Sequence, residues 1–355
     1  MISFSRINYV VTVELGGHNT PLLIDKGSNL TWIQCEPCDP CYDQQEPIFN
    51  PSRSPSYKPI LCNSTTCNNL EYYTRDCVTK SSTCQYYIRY GDSLYTFGNL
   101  ATDRLVLGTT LVKDFVFGCG WANYGSFDGF SGLLGLARSN LSMVSDTYSV
   151  FGGVFSYCLP SMNTKGSGSL MLGDDPSFYK NLTPISYTNL IANTEMPNLY
   201  FVNLTGISID RVALQDPSLG HKEILIDSGT AITWLGPTVY HAVKTEFLKH
   251  FKGVPQAPAF SIFDTCLNLS GYKELDLEHD IPKMEMHFGT DAKLTVYGAG
   301  LLYIANIDMS QVCLVIAGRS DADEISTIGS YQQTNTRVVY NTKTSTLGFA
   351  EEICS

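Results

Sequence analysis

The sequence predicts an all-β protein of two pseudo-symmetric lobes with few short helices, and three features lead there. A twelve-residue phrase occurs twice, as LLIDKGSNLTWI from Leu22 to Ile33 and as ILIDSGTAITWL from Ile224 to Leu235, at a constant offset of 202 between Asp25 and Asp227. Around both copies, β-branched and aromatic runs are punctuated by Gly, Pro, Asn and Asp, as short strands require. Clear helical spacing occurs once, where Val239, Val243, Phe247 and Phe251 follow Gly236-Pro237 at four-residue intervals, with Pro at an initial position.

Taken in order, Tyr9 to Val13 reads as a strand, and a second β-patterned run follows the Gly16-Gly17 pair into the first motif. In each motif three apolar residues form a buried strand and Asp-x-Gly-Ser/Thr a tight turn, because glycine tolerates backbone angles that other residues resist. From Cys35 to Cys84 the composition shifts to Cys, Pro, Asn, Ser and Thr, which predicts a disulfide-held excursion rather than a helix. Tyr86 to Gly98 reads as a hairpin, and the glycines from Phe117 to Leu136 mark strands that cross closely. Phe155 to Pro160 closes the first lobe, which is expected to span 1–180, and a short strand lies within Gly166 to Gly173. The second lobe, 181–355, opens with the half-buried alternation of Tyr200 to Ile207, and Val338 to Ala350 is expected to be its closing strand.

At 355 residues the chain can hold two ordinary cores, and 43% hydrophobic against 16% charged residues make it globular. Lys and Arg number 23 against 34 Asp and Glu, a net charge of −11 that argues against nucleic acid or an anionic membrane as partner. Twelve cysteines predict six disulfides and an oxidising compartment. The run Cys35-x-x-Cys38-x-x-Cys41 also admits a metal or iron–sulfur reading by spacing. Six Asn-x-Ser/Thr triplets, at Asn29, Asn63, Asn140, Asn181, Asn203 and Asn268, fit a secretory route, with Asn29 expected to be inaccessible inside the motif. No stretch has the length of a membrane-spanning helix. The six histidines show neither metal-ligand spacing nor an adjacent Gly-x-Ser-x-Gly, so metallo and serine-hydrolase chemistry find no support.

A lone carboxylate at a strand tip is commonly a turn cap. Two copies in two similar halves suggest carboxylates brought together, where they cannot both ionise easily and share a proton, one as general base and one as general acid.

With Asp25-Lys26-Gly27-Ser28 and Asp227-Ser228-Gly229-Thr230 the sequence resembles the pepsin-like aspartic proteases, and more closely their plant nepenthesin-type branch. The resemblance runs from about Tyr9 to Cys354 and includes the order of the cysteines and the ending Gln332-Gln333-x-Asn335. It implies an interlobe cleft for an extended polypeptide, no cofactor and no metal, catalysis by Asp25 and Asp227, and a chain that acts as a monomer. It further implies support of the dyad by Gly27, Ser28, Trp32, Ser228, Gly229 and Thr230, with Leu133-Leu134-Gly135 and Thr327-Ile328-Gly329 as braces. The hairpin matches the family's flap, making Tyr90, Gly91 and Asp92 substrate-facing, with the Tyr90 hydroxyl meeting the Trp32 indole. The first motif departs from the family by carrying Lys26 where Thr is usual; Lys26 is expected either to lie beside the two acids or to thread to solvent. The departure keeps open an alternative: an inactive homologue that serves as a binding or inhibitor protein, comparable to plant xylanase inhibitors of this fold. The family also implies a signal and an inhibitory prosegment, and Met1 stands too close to the first strand for either, so the residues read as a mature region bound for the apoplast or a vacuole, or as a shortened gene reading.

Overall fold

The computed structural model describes residues 2–5, 8–70, 75–77, 79, 82–90, 94–125, 127, 129–161, 167–180, 182–216, 219, 222–272, 274–277 and 279–354. It is mostly β, with few short helices, and separates into two compact units: Met1–Val154 with Leu172–Asp174, and Phe155–Met171 with Asp175–Ser355.

The first unit is built on one ten-stranded sheet. Its strands Asn8–Leu15 and His18–Asp25 are joined by Gly16 and Gly17, both at positive φ, in the two-residue hairpin that such a pair favours. Along His18–Asp25 burial alternates, so that Thr20, Leu22 and Ile24 face the core. That strand pairs parallel with Gly132–Gly135, which pairs antiparallel with Trp32–Gln34, which in turn pairs parallel with the long strand Thr110–Tyr124. The strand Tyr95–Leu107 pairs with Thr110–Tyr124 on one side and Gln85–Arg89 on the other, and its far end meets Asn8–Leu15, curling the sheet back on itself.

The second unit repeats the scheme in an eight-stranded sheet, where Lys222–Ile226 runs parallel to Thr327–Ile328, which pairs antiparallel with Thr233–Leu235. A four-stranded sheet holds Cys266–Leu267 against Val312–Leu314. The helix Pro237–Lys249 buries Val239, Val243 and Phe247, each worth about 1.5–3 kcal/mol relative to exposure. A five-stranded sheet carries Val154–Cys158 beside Thr336–Asn341. This pairing, with the Cys158–Cys354 disulfide, joins the segment from Phe155 to the end of the chain. The single closing strand expected over Val338 to Ala350 is instead a hairpin of Thr336–Asn341 and Thr346–Glu351. Asn341 Oδ1 accepts the N–H groups of Lys343 and Thr344 at 3.1 and 3.0 Å and turns the chain there.

All twelve cysteines are in disulfides: Cys35–Cys119, Cys38–Cys41, Cys62–Cys77, Cys67–Cys84, Cys158–Cys354 and Cys266–Cys313. The sulfurs of Cys35, Cys38 and Cys41 are thereby committed to covalent bonds, against the metal reading of their spacing. Among the described residues, the excursion after Cys35 contains one turn of α-helix, Thr65–Asn68, capped by Ser64 Oγ accepting from Cys67 N at 3.1 Å. Among the described residues no helix is long and apolar enough to cross a membrane. Of the sequons, Asn63 and Asn140 are exposed, Asn29, Asn203 and Asn268 are half-buried, and Asn181 lies outside the described residues.

Arg337, fully buried in the five-stranded sheet, forms a two-pronged pair with Glu352: Nε donates at 2.7 Å and Nη2 at 2.8 Å. Removing one partner of such a pair leaves an uncompensated buried charge. Glu352→Ala is therefore expected to lower the unfolding free energy by about 3 kcal/mol in denaturant titration. In the first unit, burial pushes the Asp146 carboxyl above its usual range, against the bond it accepts from Val116 N at 2.9 Å. A raised folded-state value means stability present at acid pH and lost as pH rises through it. Melting temperatures of Asp146→Asn and wild type should therefore diverge in favour of the variant on going from acid to neutral pH, and parallel curves would contradict this.

Candidate active site

Each repeated motif places its aspartate where a strand leaves the sheet, and both loops close with the same set of bonds. In the first unit, Asp25 Oδ1 accepts from Gly27 N at 2.7 Å and Oδ2 accepts from Ser28 Oγ. In the second, Asp227 Oδ1 accepts from Gly229 N at 3.0 Å and Oδ2 from Thr230 Oγ1 at 2.7 Å. Both carboxylates are half-buried, Gly27 and Gly229 are exposed, and the residues between, Lys26 and Ser228, are buried. An aspartate so held keeps its carboxylate plane and orientation, because both oxygens have donors in the same four-residue turn.

The braces match as well. Gly135 N donates to Thr31 Oγ1 and Gly329 N to Thr233 Oγ1, each at 3.1 Å. A Cβ on Gly135 would lie 2.7 Å from the Leu30 carbonyl carbon, and one on Gly329 2.3 Å from that of Ile232. Only glycine permits strand and motif loop to approach so closely.

Beyond these bonds the units differ. Trp32 is fully buried and its Nε1 donates to the Tyr90 hydroxyl at 2.7 Å, which satisfies an indole N–H that would otherwise be stranded. Phe127 packs edge-on against Trp32 at 4.9 Å between ring centroids, and against Tyr42 and Tyr90 at 5.1 and 6.1 Å. The Tyr42 hydroxyl donates to Phe130 O at 2.9 Å, and burial pushes its ionisation far above the usual range. Trp234, the counterpart of Trp32, is half-buried and lies under the Arg319 guanidinium, 5.0 Å from the ring centroid. Gly91 and Asp92, expected from the sequence to face substrate, lie outside the described residues.

Lys26 has 1% of its surface exposed, which corrects the expectation that its side chain could thread to solvent. The aliphatic stem and the ammonium are both inside, where desolvation disfavours charge. Sequence reasoning overlooked Phe127 and Tyr42, whose only signal is an aromatic residue in an otherwise small and polar loop. Spacing alone gives Gln333 no role, although its Nε2 donates to Asp227 O at 3.1 Å.

Comparison with known proteins bears on the family and the fold. Residues 9–174 match the family model described as xylanase inhibitor N-terminal, and residues 199–351 the one described as xylanase inhibitor C-terminal. The chain is 40% identical to an aspartyl protease family protein of Arabidopsis thaliana, covering 98% of this chain and 73% of that protein. It is 32% identical to the aspartic proteinase nepenthesin-1 of Nepenthes gracilis, covering 98% and 78%. Among solved structures it is similar to basic 7S globulin from soybean, with a TM-score of 0.75 and 20% identity over 98% of this chain and 92% of that one. It is also similar to the aspartic proteinase from Irpex lacteus, with a TM-score of 0.67 and 18% identity over 98% and 95%. The doubled motif, the mostly β fold and these likenesses together establish that the chain belongs to the plant branch of the pepsin-like aspartic protease family.

Proposed function

We propose that this protein is an aspartic endopeptidase that hydrolyses peptide bonds of an extended polypeptide at acid pH, with Asp25 and Asp227 acting on one water. The observation that carries the proposal is the repetition of one carboxylate geometry in both units, Gly N–H on Oδ1 and Ser or Thr hydroxyl on Oδ2. A pair of carboxylates sharing one proton has an ionised member to take a proton from water and a protonated member to polarise the scissile carbonyl, with no covalent intermediate. That chemistry is the general one for aspartic proteases, a standard case of a shared-proton dyad. In this reading Ser28 and Thr230 hold one oxygen of each carboxylate and Gly27 and Gly229 the other, which fixes how each acid is presented to the water. Tyr90, Gly91 and Asp92 are assigned to the substrate side of the hairpin. Six disulfides are suited to an oxidising compartment, and we place the protein in the apoplast or a vacuole.

The buried Lys26 supports a second reading, an inactive homologue that binds a partner protein. An ammonium close to the two acids favours both as carboxylates, which removes the general acid at all but the lowest pH. In the protease reading the same effect slows the enzyme and moves its optimum toward more acid pH.

Three measurements separate the readings. Acid-pH digestion of denatured protein should show cleavage that a pepstatin-like inhibitor blocks and that Asp227→Asn abolishes; cleavage surviving the substitution removes the dyad from the mechanism. Lys26→Thr should raise kcat/KM by on the order of tenfold and move the optimum upward by about one pH unit, within the range a neighbouring charge produces. An unchanged rate and optimum would contradict the role given to Lys26. A stoichiometric partner from cell-wall extract, with no peptide cut by wild type or Lys26→Thr, would establish the binder instead.

A further inference from the structure

We infer that Gln333 is a positioning residue for Asp227, replacing in the second unit a backbone contact that the first unit makes for Asp25. Its consequence for catalysis rests on the protease reading, whereas its geometry does not. In the first unit, Leu136, which follows Gly135, donates its N–H to Asp25 O at 2.9 Å, and Ala137 donates to Ser28 O at 3.1 Å. In the second unit the ladder is displaced by one residue. Ser330, which follows Gly329, donates to Thr230 O at 2.8 Å, and Tyr331 to Ala231 O at 3.0 Å. The Asp227 carbonyl accepts instead from Gln333 Nε2 at 3.1 Å, and the same nitrogen donates to Ile328 O at 3.0 Å.

The orientation of that amide follows from what lies behind it. Gln333 Oε1 accepts the hydroxyl of Tyr157, and Tyr157 lies 3.2 Å from the hydroxyl of Tyr340. A phenol has one hydrogen to give, so with Tyr157 donating to Gln333, Tyr340 donates to Tyr157. The bonds therefore run one way, from Tyr340 through Tyr157 and Gln333 to the Asp227 peptide, and each polarises the next. A flipped amide would set its oxygen against two carbonyl oxygens. Gln333, Tyr157 and Tyr340 are all fully buried, and Tyr340 is fixed by Phe155, stacked at 4.6 Å, and by Tyr200, edge-on at 4.7 Å. Burial, with the Asp227 charge adding to it, keeps both phenols protonated far beyond the working range of an acid enzyme. The support of Asp227 is thus a side-chain relay insensitive to acid, and holding that peptide plane sets where the Cβ and the carboxylate point.

Hydrogen exchange resolved by peptide, on the whole protein, tests the placement without requiring activity. Gln333→Met, which keeps length and removes the amide, should speed exchange across 226–231 on the order of tenfold while 24–29, held through Leu136, stays unchanged. Tyr157→Phe, which removes one hydroxyl, should do the same to a smaller degree and serves if Gln333→Met does not fold. In catalysis both variants should lower kcat, Gln333→Met by on the order of tenfold, with KM nearly constant. Equal exchange in 226–231 for wild type and both variants would overturn the inference, as would a rise in both loops together. A wild type without Asp227-dependent cleavage would overturn the protease reading and leave the exchange result to decide the role of Gln333.

Discussion

Everything at the candidate site depends on how closely a strand can approach the loop that carries an acid. Gly135 and Gly329 come within contact of the Leu30 and Ile232 peptides, and each donates its N–H to a buried threonine hydroxyl of the motif. That approach places a parallel strand beside the aspartate and lets the four-residue turn wrap its own carboxylate. A side chain at either glycine would displace the loop, and with it the two donors that orient the carboxylate. The apolar strand before each aspartate keeps the approach dry, so those donors are not exchanged for water.

Duplication supplies two copies of this arrangement, but the two copies are not equally supported. The first holds its aspartate by backbone and places Trp32 beneath Tyr90 and Phe127. The second holds its aspartate through Gln333 and covers Trp234 with Arg319. Lys26 and Ser228 extend the difference, because one buried position carries a long amine side chain and the other a short hydroxyl. On the protease reading proposed above, this inequality gives two chemically identical groups different surroundings.

Around this centre the remaining chain acts as a frame. Cys35–Cys119 ties the strand after the first motif to Thr110–Tyr124, and Cys266–Cys313 crosslinks the four-stranded sheet. The Arg337–Glu352 pair and Cys158–Cys354 secure the end of the chain to the five-stranded sheet. Disulfides of this kind restrict the unfolded chain more than they add native contacts, so they preserve the frame in acid, where charged pairs weaken.

Much of this was legible in the residues. The repeat, the hairpin at Gly16-Gly17, the stripe of Val239, Val243 and Phe247 and the even cysteine set each follow from local rules of spacing, and those rules bind wherever the segment folds. Which cysteine meets which, that Val338 to Ala350 turns back at Asn341, that Phe127 closes on Trp32, and that Lys26 is buried whole depend on partners far away in sequence. The sequence by itself determined two like motifs and the turn chemistry that presents each carboxylate, because a four-residue loop contains its own donors. Only the tertiary structure decided that Gln333, 106 residues beyond Asp227, holds the peptide of the second acid, because a side-chain amide finds its acceptors through packing and not through spacing.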